Sequence, residues 1–321
     1  MIERILMPLD GSPLAEQALA QAAAVARAFD AELLLLRVQE TPPGAANGCV
    51  DAVSWRLNQA EIKAYLSRLA AGLGARGVRA ATLLAEGSAA EQILEAARTR
   101  KADVIVLGAH GHGGRSRFHL GGTARKVVSR AVASVLLVRN AEPAAEVPAE
   151  VRYQRVMVPL DGSQRAQWAL HLASSIARAH QGEILLVHVV EVPQLPGRMP
   201  PAPEERELTQ KLAELDRKTA EGYLAEMEAL LSGSGLAVKK LLVESPHVVQ
   251  ALEKVAADER VSLMVVSAHG RSGAAPWPYG SVADRLIEHG TTPLLVFQDL
   301  PAREPEEAQG TEPELRLATA R

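Results

Sequence analysis

The sequence has little of what several classes of protein require. It contains a single cysteine, Cys49, which excludes an intramolecular disulfide, a cysteine-based zinc site and an iron–sulfur cluster. Aromatic residues make up only 3% of the chain, so the core has to be built from alanine, valine, leucine and isoleucine. The formal net charge of -3 provides no broad positive surface, which argues against nucleic acid or an anionic membrane as a partner.

Long hydrophobic runs are missing as well. The longest apolar stretches, such as Leu33 to Leu36, are far too short to cross a bilayer. The first residues, Met1 to Ile5, have a strand-like pattern in place of the basic and apolar regions of a signal peptide. We therefore expect a soluble protein of the cytoplasm.

What the chain does contain is one pattern twice. Residues 5–12 read ILMPLDGS and residues 156–163 read VMVPLDGS, and the tripeptide AHG recurs at 109–111 and 268–270. A repeat of this length indicates duplicated domains and not a short solenoid unit. We predict domains at 1–140 and 152–299, a linker rich in proline, alanine and glutamate at 141–151, and a polar tail at 300–321 that we expect to be disordered.

Strand and helix patterns alternate within each copy. In copy one, buried strands are predicted at Ile5–Leu9 and Glu32–Val38, with helical spacing from Pro13 to Phe29 between them. Further along, a helix is predicted over Thr123–Ala133. Apolar strands that alternate with helices predict an α/β fold with a parallel sheet covered on both faces. In such sheets, ligands bind beyond the carboxyl ends of the strands.

The first candidate for chemistry is the loop after strand one. It places Asp10 in the sequence PLDGS of copy one and Asp161 in the same sequence of copy two. An aspartate at this point can accept a hydrogen bond from a ribose or a base, or hold a cation. It can equally be a turn residue ahead of a helix, where the helix dipole favours a negative charge. The residues alone leave both interpretations open.

The second candidate is a glycine-rich loop after strand four, at residues 108–123 and again at 267–281. Glycines allow backbone N–H groups to approach an anion, and a helix that begins there adds the positive end of its dipole. This pattern indicates a phosphate cradle, and the alternative is a flexible surface loop. It is neither a Walker loop nor a dinucleotide fingerprint. No catalytic triad and no metal-ligand spacing repeats in both copies, so we predict no catalytic residues and no metal site.

Together the two loops resemble those of the universal stress protein family. The resemblance rests on Gly-x2-Gly-x9-Gly-Ser/Thr after strand four and Pro-x-Asp-Gly-Ser after strand one, and it covers nearly all of residues 1–140 and 152–299. It implies two tandem Rossmann-like domains, each with a five-stranded parallel sheet of order 3-2-1-4-5. It also implies that two such domains pair, often through strand five, either within the chain or in a homodimer.

The same resemblance implies an adenine nucleotide as ligand: ATP, or alternatively ADP or AMP, with Mg²⁺ as a companion of the phosphates. The positions that match in copy one are Pro8, Asp10, Val38, Gly108, His110, Gly111, Gly121, Gly122 and Thr123. Those in copy two are Asp161, Val189, Gly270, Gly280 and Ser281. Gly122 stands at the family's Ser/Thr position, and Ser267 replaces the first glycine of the second loop. We favour copy one as the nucleotide site.

These observations lead us to expect a cytoplasmic stress-response or regulatory protein that senses ATP and is not an enzyme. One alternative is an interaction protein that dimerises without binding nucleotide. A slow ATPase that uses Asp10 or Asp161 is a further alternative. A response-regulator receiver domain is a weaker one, because the stretch Val78–Ala85 carries no aspartate to accept a phosphoryl group.

Overall fold

A computed structural model of the protein describes residues 2–40, 52–109, 120–139, 150–191, 203–270 and 279–298. The linker and the tail predicted from the sequence therefore lie outside the described residues, apart from 150 and 151. The described elements of copy one are β1 (Arg4–Pro8), α1 (Pro13–Phe29), β2 (Glu32–Gln39), α2 (Ala52–Gly74), β3 (Ala80–Glu86), α3 (Ala89–Thr99), β4 (Val104–Gly108), α4 (Gly122–Val128) and β5 (Ser134–Val138). Those of copy two are β6 (Arg155–Pro159), α5 (Gln164–Ala179), β7 (Glu183–Val190), α6 (Pro203–Leu231), β8 (Ala237–Glu244), α7 (Val248–Asp258), β9 (Leu263–Ser267), α8 (Ser281–His289) and β10 (Leu294–Phe297).

The described strands form one sheet of ten, in the order β3-β2-β1-β4-β5-β10-β9-β6-β7-β8. Each half is parallel and has the order 3-2-1-4-5 within its own copy, which confirms the predicted fold class. The halves meet where β5 and β10 run antiparallel, with Leu136 opposite Leu295. The order reverses beside β1 and beside β6, so each copy has its own switch point.

Both faces of the sheet are covered, which explains the continuous apolar strands. In β2, Leu33 and Leu35 face the helices α1 and α2, whereas Leu34 and Leu36 face α3 and α4. All four side chains are buried. The same alternation in β7 separates a face covered by α5 and α6 from a face covered by α7 and α8.

The helix after β4 differs from the prediction. It was expected over Thr123–Ala133, but α4 ends at Val128. The N–H groups of Arg130 and Ala131 both donate to the carbonyl of Val127, which closes the last turn and lets the chain enter β5. The helix therefore ends in a tightened last turn, earlier than its apolar spacing suggests.

Contacts across the junction of the two copies extend beyond the strands. Helices α1 and α5 pack against each other, and the fully buried Tyr153 donates its hydroxyl hydrogen to the side-chain oxygen of Gln21. The backbone N–H of Gln298 donates to the hydroxyl of Ser134 at 3.1 Å. The described residues of the two copies therefore share one continuous sheet and one packed helical layer.

Candidate functional site

The carboxyl ends of the copy-one strands open into a cleft of about 570 Å³. Strand ends, the turn after β1 and the start of α4 form its walls. Seven of the nine residues predicted for copy one line this cleft: Pro8, Asp10, Val38, Gly108, Gly121, Gly122 and Thr123. The other two, His110 and Gly111, lie outside the described residues. The assignment of these positions to a ligand stays a prediction.

Local hydrogen bonds hold Asp10 at the rim of this cleft. Its carboxylate accepts from the N–H of Ser12 at 2.9 Å, and the Ser12 hydroxyl accepts from the N–H of Ala15 at 3.1 Å. Gly11 between them has φ +77°, a conformation that side chains rarely adopt. Asp10 therefore acts as a turn residue ahead of α1, and it also lines the cleft.

Two charged residues of the copy-one cleft were not singled out from the sequence. Arg37 and Glu40 follow the leucines of β2 and line the cleft. The guanidinium of Arg37 donates to the carbonyl of Leu9 at 3.0 Å, which holds a positive charge beside the end of β1. A charged residue directly after a run of buried leucines was the available signal.

Copy two has a matching cleft of about 600 Å³. All five residues predicted there line it: Asp161, Val189, Gly270, Gly280 and Ser281. The turn after β6 repeats that of copy one, because Asp161 accepts from the N–H of Ser163 at 3.0 Å and Ser163 caps α5 through Ala166 at 3.2 Å.

Gly270 lies directly against Asp161. A Cβ built on Gly270 would overlap the Oδ2 atom of Asp161, so the glycine-rich loop and the turn after β6 touch at this point. Ser267, which replaces the first glycine of the motif, turns its hydroxyl to the carbonyl of His269 and donates to it at 2.8 Å. Its hydroxyl is therefore used within the loop.

The copy-two cleft also contains residues that the motifs did not indicate. The rings of His188 and Tyr223 meet edge to face, with centroids 6.3 Å apart. Burial raises the pKa of Tyr223, and the nearby charge of Asp161 raises it further. Asp216 and Thr219 of α6 complete this side of the cleft.

The side chains and helices of the described ranges also bear on metal binding and on membrane insertion. Within those ranges, no group of three or more His, Cys, Asp or Glu side chains is placed to hold a metal ion. None of the helices described is long and apolar enough to cross a membrane.

Comparison with known proteins decides the family. The sequence model of the universal stress protein family matches this chain twice, at residues 1–139 and 152–298. The chain belongs to the universal stress protein family. The two matches also confirm that it is a tandem member of this family of stress-response proteins.

Individual relatives agree with this assignment. A universal stress protein of Thermus aquaticus is 39% identical over 142 residues, which is 43% of this chain and 100% of the relative. One from Methanocaldococcus jannaschii is 32% identical over 143 residues, 44% of this chain and 84% of the relative. The crystal structure of a universal stress protein from Archaeoglobus fulgidus covers 92% of this chain and 98% of its own, with a TM-score of 0.65 and 20% identity. At that identity the likeness shows the fold alone.

Proposed function

We propose that this tandem universal stress protein is a regulatory protein that binds an adenine nucleotide, ATP first among them, in the copy-one cleft. The observation that carries the proposal is the convergence of Asp10, Val38 and the glycines of the loop after β4 on one cleft. These residues come from three separate stretches of sequence. The proposal includes a cytoplasmic location, which cell fractionation would test.

Each part of the cleft has a role in this proposal. The backbone at Val38 would meet the adenine, and the Asp10 carboxylate would accept from the ribose hydroxyls. The backbone at Gly108, Gly121 and Gly122 would contact the phosphates, since a glycine leaves room for close approach. A Cβ at Gly122 would meet nothing within 4 Å, so a serine at this family position also fits.

Charge favours copy one over copy two for an anionic ligand. The described charged residues that line the copy-one cleft are Asp10, Arg37 and Glu40. In copy two they are Asp161, Glu191 and Asp216, and His188 stands where copy one has Arg37. A triphosphate would meet one cation and two carboxylates in the first cleft, but three carboxylates and no described lysine or arginine in the second. Mg²⁺ bound to the phosphates would reduce this difference without removing it.

The experiment is a matched pair of variants. Small molecules released from the purified, denatured protein are identified by mass spectrometry, and emptied protein is titrated with ATP and Mg²⁺ by calorimetry. We expect about one nucleotide per chain, an affinity about tenfold lower in Asp10→Ala because a charged hydrogen-bond acceptor is lost, and little change in Asp161→Ala. Absence of binding at millimolar ATP would refute the proposal.

The junction between β5 and β10 supports a second candidate, an interaction protein without a nucleotide. In that case the functional feature would be the antiparallel pairing of β5 with β10, which forms within one chain. If no nucleotide binds, sedimentation at rising protein concentration would then test whether whole chains also form homodimers. A slow ATPase is the third alternative, and unchanged hydrolysis in Asp10→Asn would exclude catalysis through that residue.

A further inference from the structure

The two copies differ in the side chains between the second strand and the long helix that follows it. In copy one this space is filled. The hydroxyl of Tyr65 donates to Glu16 at 3.0 Å, Arg37 donates to the carbonyl of Leu9, and Ile62 is buried. No described residue of α2 lines the copy-one cleft.

Copy two has smaller or differently charged side chains at three of four matched positions, and the fourth is tyrosine in both copies. The repeat places Gln167 at Glu16, His188 at Arg37, and Tyr223 at Tyr65. Ala220 stands where copy one has Ile62, a much larger side chain. As a result, α6 lines the cleft through Asp216, Thr219, Ala220 and Tyr223. We call the part bounded by these four residues together with Asp161 and His188 the α6 compartment.

The α6 compartment lies on the opposite face of the sheet from the glycine-rich loop. His188 follows Ile184 and Leu186 on the face covered by α5 and α6, and Tyr223 comes from α6 itself. Val189, Leu252 and the start of α8 belong to the other face. Asp161 sits at the junction of the two. The compartment therefore shares Asp161 with the positions that the family motif assigns to a nucleotide, and its other residues are separate from them.

Its chemistry suits a positive charge. It combines two aromatic rings with the carboxylates of Asp161 and Asp216, and Glu191 lies on the same cleft. No lysine or arginine is among the described residues that line this cleft. Aromatic faces and carboxylates both attract cations, and three carboxylates repel a phosphate. A small organic cation suits such a site, because its charge is attracted by the carboxylates and its apolar part can contact the aromatic rings.

We propose that the α6 compartment binds a small organic cation with an ammonium group. Tyr223 and His188 would contact its apolar part, while Asp161 and Asp216 would face its charge. Copy one would not bind such a ligand, because Arg37 and Ile62 occupy the equivalent space. The inference does not depend on nucleotide binding in copy one.

The test uses choline and its uncharged isostere dimethylbutanol, which differ in charge but hardly in shape. Both are titrated into the full chain, free of nucleotide, by calorimetry at low salt. We expect one choline site per chain and affinity for the isostere about tenfold lower, as expected when an attraction to aromatic rings and carboxylates is lost. Equal affinity for the two, or no binding of choline, would overturn the proposal.

Substitutions that introduce the copy-one residue at a matched position of copy two test whether choline binds in the α6 compartment. Ala220→Ile should abolish choline binding by filling the compartment. Asp216→Asn, an exchange at an exposed position, should weaken it about fivefold, the effect of one unit charge near a surface. Asn58→Asp adds the same charge at the matched position of copy one and should change nothing. Choline binding that survives in both Ala220→Ile and Asp216→Asn would place the ligand elsewhere and refute the assignment.

The outcomes separate this inference from the proposed function. If ATP binds and choline does not, only the α6 compartment assignment fails. If choline binds and ATP does not, only the nucleotide proposal fails. Thermal unfolding of each variant establishes that it is folded before either ligand is added.

Discussion

Replacing Gly270 with alanine tests whether the two motif loops of copy two hold each other in place. The new Cβ would overlap Oδ2 of Asp161, so the carboxylate has to rotate away. Rotation breaks the hydrogen bond from the N–H of Ser163 to Oδ1, which is 3.0 Å long. Because the acceptor is charged and only partly buried, we expect unfolding to become easier by about 1–2 kcal/mol.

The measurement is urea denaturation followed by circular dichroism and by tryptophan fluorescence. Trp168 lies on α5, just after the Asp161 turn, and reports on copy two. The control is a double-mutant cycle with Asp161→Ala, which removes the atom that the new Cβ meets. In that background Gly270→Ala should cost less than about 0.5 kcal/mol, because the two residues are directly coupled. An equal cost in both backgrounds would show that this contact is not the reason for the glycine.

Three further predictions concern stability away from the clefts. Gly222→Ala should stabilise the protein by about 0.5–1 kcal/mol, since Gly222 lies inside α6 with nothing within 4 Å of its missing Cβ; an unchanged urea midpoint would contradict this. Tyr153→Phe should cost about 1 kcal/mol by removing the hydroxyl that donates to Gln21, again measured by urea denaturation; no loss would show that the bond between the copies contributes nothing. Burial lowers the pKa of His180, whose Nε2 lies 3.2 Å from the carbonyl of Ala24 across the α1–α5 contact. The unfolded chain therefore binds the proton more readily, and stability should fall as pH drops through about 6.5. His180→Gln should reduce that fall in denaturation experiments between about pH 7.5 and 5.5, and an unaltered pH profile would exclude this histidine as its source.

Much of the fold could be predicted from local patterns. The four leucines from Leu33 to Leu36 are typical of a strand with helices on both sides, and the structure places them alternately on the two faces. The repeated PLDGS loops follow β1 and β6, so their position at the carboxyl edge was a consequence of strand direction. Periodicity was a poorer guide to where α4 ends, because the helix closes in a tightened last turn at Val127.

In the clefts, too, some residues could be predicted from local motifs and others depend on tertiary contacts. Asp10 and Asp161 could be identified because each stands in a short motif beside a predicted strand. Arg37 had only a weak signal, a charge directly after buried leucines, because its role depends on the carbonyl of Leu9, which lies 28 residues away in sequence. Tyr223 became part of a cleft only when α6 packed beside β7.

The amino-acid sequence by itself determined the duplication, the parallel α/β architecture and the two loops at each switch point, because these depend on short-range periodicity and on motifs of adjacent residues. Tertiary structure alone decided that Gly270 touches Asp161 and that Leu136 of β5 lies opposite Leu295 of β10. It also decided that Ala220 of α6 lines the copy-two cleft, whereas no described residue of α2 lines the copy-one cleft. Such features depend on which side chains meet across long separations in the chain. Local sequence patterns do not specify these contacts, because they arise from the packing of whole elements.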